Sequence, residues 1–194
     1  AHLEHRCVGL RQGRMCVRDR LDAALATGKP MVVDADALTL IAGQADIGTA
    51  DWVLTPHPGE AGRLLGVSAG DIQQDRFAAL DSLSARYGGT VLLKGLGTLV
   101  QGEPVDAGPV RSLIRDGNPG MASGGMGDVL TGVIAALRAQ GLNGFDAARL
   151  GAMVHARAAD HCAAAQGERG LLATDLLGAL RQKLNHRLQG HELP

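Results

Sequence analysis

The stretch "GNPGMASGGMGDVLTGVIAAL" occupies residues 117–137, and five of its first eleven residues are glycine. A carboxylate, Asp128, comes next. Val129, Val133, Ile134 and Leu137 then recur at helical spacing, with Gly141 as a stop signal. Glycines ahead of a helix let the backbone close around a ligand. The first turn of the helix offers unpaired N–H groups and partial positive charge. The stretch therefore reads as a phosphate cradle running into a helix, with Asp128 placed to accept a proton from a hydroxyl beside a phosphoryl group. A glycine-rich turn with an ordinary Asp cap explains the same spacing. The loop matches neither GxxxxGK[ST] nor GxGxxG after a strand, and neither does "GLRQGRMCV" (9–17).

Upstream of this stretch, apolar runs alternate with helical patterns. "PMVVDA" (30–35), "DWVLT" (51–55), "TVLLKG" (90–95) and "GTLVQ" (97–101) read as strands. The first three are apolar almost throughout, as expected of strands covered on both faces. "RDRLDAALATG", "GEAGRLLG" and "DIQQDRFAALDSLSARYGG" read as helices closed by glycine, the last as one continuous helix. "DAARLGAMVHARAADHCAAAQG" and "ATDLLGALRQKLNHRL" read as two more. This order predicts an α/β fold with a mostly parallel central sheet and helices on both faces. "TVLLKG" and "GTLVQ" follow each other so tightly that a hairpin is expected. The 194 residues suit a single domain over 1–194, of which residues 1–19 are the atypical part.

Composition narrows the partners. A net charge of −1 and 2% aromatic residues argue against nucleic acid, through charge or through stacking. No apolar run reaches the ~20 residues of a membrane span. Cys7, Cys16 and Cys162 form an odd, scattered set without a CxxC pair, which predicts a reducing, cytoplasmic setting.

Further polar groups sit where strands should end, the usual ligand edge of an open α/β sheet. "TPHPGEAGRLLG" (55–66) places His57 and Glu60 after one strand; a rigid strand-to-helix connection is the plainer reading. Lys94 ends another strand, where an unpaired charge would be costly, so a phosphate or a carboxylate should meet it. Thr98 either binds phosphate or caps its turn. Asp34 or Asp36 could bind Mg²⁺ through water, and Asp36 equally suits an N-cap. Thr174 and Asp175 read as helix capping, though their loop could also line a nucleotide pocket. His155 and His161 lie six residues apart and share no helix face, so they read as structural rather than metal-binding.

Taken in order, "VVDADAL", "LTPHPGEAGRLLG", "VLLKGLGT", "GNPGMASGGMGDVLTGVIAAL" and "GLLATDLL" closely resemble the ADP-dependent (S)-NAD(P)H-hydrate dehydratase family of the ribokinase-like superfamily. The resemblance implies a ribokinase-like fold and a cofactor-repair lyase. Such an enzyme returns the hydrated cofactors (6S)-NADHX and NADPHX to NADH and NADPH, consuming ADP and releasing AMP and phosphate. It implies Mg²⁺ dependence and a homo-oligomer. Matched residue by residue, His57 and Asp128 contact the hydrated cofactor, with Asp128 catalytic. Lys94, Gly95, Leu96, Gly97, Thr98 and Gly127 hold the nucleotide. Asn118, Gly124 and Gly125 shape the loop, and Glu60 supports it.

The resemblance covers roughly residues 20–182, and the family domain extends upstream, so an N-terminally incomplete domain is expected. Where the family has a "GPGLG"-type loop, this chain reads "VGLRQGRMCVRDRLDAAL", with Arg11 and Arg14 in place of close-approach residues. Such a change is expected to impair binding of the hydrated cofactor. A vitamin-precursor kinase of the same superfamily and a nucleotide-binding module without activity are the competing readings.

Overall fold

A computed structural model describes residues 17–42, 44, 51–104 and 108–185. Arg11, Arg14, Cys7 and Cys16 lie outside the described residues. Five strands form one sheet in the order β1-β2-β3-β4-β5: Met31–Val33, Trp52–Leu54, Thr90–Leu93, Thr98–Gly102 and Val110–Ile114. β1 pairs parallel with β2 and β2 with β3, whereas β4 runs antiparallel to both β3 and β5. Only β4 is reversed, which gives the mostly parallel sheet expected and the predicted hairpin between β3 and β4. Every residue of β2 and β3 is buried, consistent with their unbroken apolar sequence.

Alternation along these strands divides the core. Trp52 and Leu54 of β2 and Val91 and Leu93 of β3 pack in one cluster. That cluster draws on α1 (Val17–Leu25), α2 (Asp36–Ile41), α3 (Pro58–Leu65), α4 (Ala69–Gln74) and α5 (Arg76–Tyr87). Val53 and Leu92 point the other way, onto α6 (Met126–Ala139) and α7 (Gly144–Gln166). α8 (Leu176–Leu184) covers the outside of α6 and α7 through a third cluster built on Leu176, Ala158 and Ala159. The sheet is thus a middle layer between two helical ones.

Three local expectations are corrected. The helix read through "DIQQDRFAALDSLSARY" is two helices. Asp75 leaves helical geometry at φ −142° and caps α5 instead, accepting the Ala78 N–H at 2.9 Å. Asp36 is no N-cap; it opens the first turn of α2, and Ala35 precedes it at φ 51°. β5 is absent from the strands read in the sequence. Its residues alternate poorly and most are exposed, so no buried stripe marks it.

Candidate functional site

The parallel strands all deliver their carboxyl ends to one edge, and the hydrogen-bond ladder continues past them. Thr55 N–H donates to Val33 O at 3.1 Å, and Lys94 N–H to Pro56 O at 2.8 Å. Asp34, His57 and Lys94 therefore emerge side by side although they come from separate strands. The Lys94 ammonium lies 2.8 Å from Asp34 Oδ1 and 3.7 Å from Glu60 Oε2. Thr131 Oγ1, one turn into α6, donates to Asp34 Oδ2 at 3.1 Å. Burial of this lysine is met by two carboxylates, the duller of the partners expected for it.

His57 folds back as the N-cap of α3. Its Nδ1 accepts the N–H groups of Gly59 at 3.0 Å and Glu60 at 3.3 Å. Its own backbone N–H donates to Glu60 Oε2 at 2.8 Å, closing a reciprocal capping box. An Nδ1 that accepts two amide protons leaves the ring proton on Nε2, which lies 3.5 Å from Glu60 Oε1. Glu60 is only 7% exposed and so joins the histidine to the lysine from within the fold.

The glycine stretch reaches this edge from the other side of the sheet. Gly125 caps α6 at φ 85°, a left-handed conformation that strains any other L-residue, and no side chain caps the helix. The first amides of α6 are thus free to face a ligand. Asp128 stands in the first turn, exposed, with no hydrogen bond or ion pair among the described residues. It is therefore not the cap that the plainer reading required. A methyl group at Gly127 would lie 3.4 Å from Asp34 Oδ2 and 3.5 Å from Lys94 Nζ. The helix start consequently abuts the Lys94–Asp34 pair.

The remaining positions fall into two groups. Gly95, Leu96, Gly97 and Thr98 form the β3–β4 turn directly after Lys94; Leu96 is 98% exposed, and Thr98 Oγ1 reaches Gly95 O only at 3.5 Å. Asn118, Gly124 and Gly125 belong to the loop before α6. The Asp36 side chain makes no hydrogen bond or ion pair among the described residues, and no group of three His, Cys, Asp or Glu side chains among them could hold a metal. Asp175 folds back on its own turn, accepting Leu172 N–H at 2.8 Å. His155 is buried at the α6 interface. Burial pushes its pKa down to about 4, against a hydrogen bond to the Met126 backbone that raises it. An open cleft of about 1080 Å³ lies at the opposite end of the strands, between Asp51, Gly89, Arg138 and Gly144. It touches none of the residues above, and the chemistry gathered at the carboxyl edge outweighs its size.

Thr131, Arg76 and Asp160 join the site without any signal read in the sequence. Arg76 donates to Leu93 O at 3.2 Å and so holds the β3–β4 turn from α5. Thr131 lies four residues after Gly127, on the same helix face, so helical spacing was the signal available for it.

With that geometry in place, residues 9–182 match the model of the NAD(P)H-hydrate dehydratase family. The chain belongs to this family. It is 48% identical over 165 residues to the bifunctional NAD(P)H-hydrate repair enzyme of Coxiella burnetii, covering 85% of this chain and 33% of the relative. The ADP/ATP-dependent NAD(P)H-hydrate dehydratase of Bacillus subtilis, co-crystallized with ATP/Mg²⁺, superposes with a TM-score of 0.76. That match is at 28% identity, over 87% of this chain and 58% of that one. A ribokinase-like superfamily protein of Enterococcus faecalis V583 gives a TM-score of 0.67 at 28% identity, over 84% and 56% of the two chains. The dehydratase fold here is therefore ribokinase-like, and the chain spans a third to about three-fifths of the length of these family relatives. No helix among the described residues is long and apolar enough to cross a membrane.

Proposed function

We propose that this chain carries the nucleotide site and the catalytic carboxylate of an ADP-dependent dehydratase acting on (6S)-NADHX and NADPHX. The observation that carries the reading is Asp128. It is a carboxylate with no partner among the described residues, in the first turn of a helix whose leading amides are uncapped, and the residue before it, Gly127, abuts the Lys94 ammonium.

The chemistry follows from that placement. Hydroxide is a poor leaving group, and phosphate is a good one. Asp128 removes the proton of the C6 hydroxyl. The hydroxyl oxygen bonds to the β-phosphorus of ADP as the bond from that phosphorus to the bridging oxygen breaks, releasing AMP. The C6–O bond then breaks with the ring nitrogen supplying electrons, phosphate departs, and loss of a C5 proton restores the dihydropyridine. The α6 amides and Lys94 offset the charge that develops on the transferring group. The Nε2 proton of His57 is available to an oxygen of the hydrated ring. The β3–β4 turn, Lys94 through Thr98, with Gly127, receives the nucleotide.

Mg²⁺ would neutralise the phosphate oxygens when bound. Asp34 already engages Lys94 and Thr131, so it is not a free ligand for the ion. That suits an ion held chiefly by the nucleotide's own oxygens.

The test is incubation of the chain with hydrated NADH, ADP and Mg²⁺ while the dihydronicotinamide absorbance is followed. Recovery of absorbance with equimolar AMP and phosphate is expected. No recovery, despite ADP binding, would remove the dehydratase reading for this chain.

A further inference from the structure

A loop with five glycines in eleven residues is mobile unless something holds it, yet phosphoryl transfer tolerates little misplacement. The restraint comes from α7. Asp160 Oδ2 accepts the Gly117 N–H at 2.9 Å, and its Oδ1 accepts Asn118 Nδ2–H at 2.9 Å. Asn118 passes the restraint on, since its Oδ1 accepts the Gly120 N–H at 3.0 Å. Gly117 sits at φ 111°, and a methyl group at Gly120 would lie 2.4 Å from Glu168 O, so the pinned backbone runs against the chain just past the end of α7. Farther along, Ser123 Oγ–H donates to Leu171 O at 3.0 Å. One half-buried carboxylate thereby fixes three residues of the loop, two directly and one by relay.

We infer that Asp160 is a positioning residue for the nucleotide phosphates: it never meets the ligand but sets where the glycine loop presents the start of α6. This rests on the dehydratase reading, and the charge-assisted bonds it makes are stronger than neutral ones. Asp160→Asn is nearly isosteric but opposes its Nδ2 to that of Asn118, two donors facing each other. The paired change Asn118→Asp with Asp160→Asn restores the pattern. The new amide donates to the new carboxylate, which still accepts Gly120 N–H, while the amide oxygen accepts Gly117 N–H.

The experiment compares D160N and the N118D/D160N pair with the parent chain, by ADP-dependent turnover of hydrated NADH and by hydrogen exchange of residues 117–121 with and without ADP. D160N is expected to lower kcat/KM for ADP by about 10- to 100-fold. Its loop amides should exchange at least about tenfold faster while those of α6 stay protected. The pair should recover most of both. Parent-like turnover in D160N, unchanged loop exchange, or a pair that regains protection without turnover would overturn the assignment. If D160N does not fold, recovery in the pair decides the matter, and failure of the folded pair to turn over counts against Asp160. A parent chain without turnover would sink the dehydratase reading alone. ADP protection of the loop in the parent but not in D160N would then still support Asp160; equal protection in both, or none in either, would overturn it.

Discussion

Asp128 and Lys94 are two charges at one edge with opposite histories. Lys94 is committed to Asp34 and Glu60, whereas Asp128 is committed to nothing among the described residues. Removing the uncommitted group should cost chemistry and spare the fold. Asp128→Asn is expected to lower kcat by about 10²- to 10⁴-fold, with ADP affinity by calorimetry changed only a few-fold. Removing the committed group should cost both. Lys94→Met leaves two carboxylates facing each other, and urea unfolding should report a loss of about 1–3 kcal/mol along with weaker ADP binding. An unchanged unfolding midpoint would mean that the triad contributes little. The chemical types at both positions were legible in the sequence, since a glycine stretch leading into a carboxylate and a lysine ending an apolar strand are local patterns. The partners of Lys94 were not, because Asp34 lies sixty residues away along the chain.

At the scale of elements, the proposed function gives His57, the N-cap of α3, two duties. His57 caps the helix through Nδ1, and on the proposed reading its half-exposed Nε2 side, 3.5 Å from Glu60 Oε1, meets the hydrated cofactor. Asn is a strong N-cap, so the two duties separate by substitution. His57→Ala should lose about 1 kcal/mol of stability and the substrate contact together. His57→Asn should keep the thermal midpoint near that of the parent chain while KM for hydrated NADH still rises. If both variants fall equally in stability, the ring rather than the cap holds the turn. The order of strands and helices was readable because apolar runs, glycine stops and the 3.6-residue period are properties of adjacent residues. The break at Asp75 was not, because the apolar pattern continues across it and only the cap geometry marks it. β5 escaped for the opposite reason: its stability comes from pairing with β4 rather than from a buried face.

Across the whole molecule, α7 is the member that ties the layers together. It packs Phe145 and Ala148 against the sheet side, Ala158 and Cys162 toward α8, His155 toward the start of α6, and Asp160 toward the loop before it. The burial of His155 links the fold to pH. Its folded pKa lies below the unfolded value of 6.5, at about 4, so the native state favours the neutral ring. The stability this confers is present above pH 6.5 and is lost as pH falls toward 4. At one pKa unit per roughly 1.4 kcal/mol, about 2 kcal/mol should disappear between about pH 7 and 5. Denaturant unfolding of the parent chain and of His155→Gln at both pH values isolates this part. The parent should lose more than the variant, and equal losses would show that His155 does not carry the effect. The amino-acid sequence alone determined the α/β alternation, the glycine-to-helix junction at Asp128 and the strand-end polar groups. These depend on backbone preferences and on the hydrophobic period, which neighbouring residues encode. Only the tertiary structure decided that Asp34 meets Thr131 ninety-seven residues later, that Asp160 anchors Gly117, and that Asp128 has no partner among the described residues. A polar side chain finds its partner among whatever packing brings close, and that proximity is set by how the layers close on the sheet.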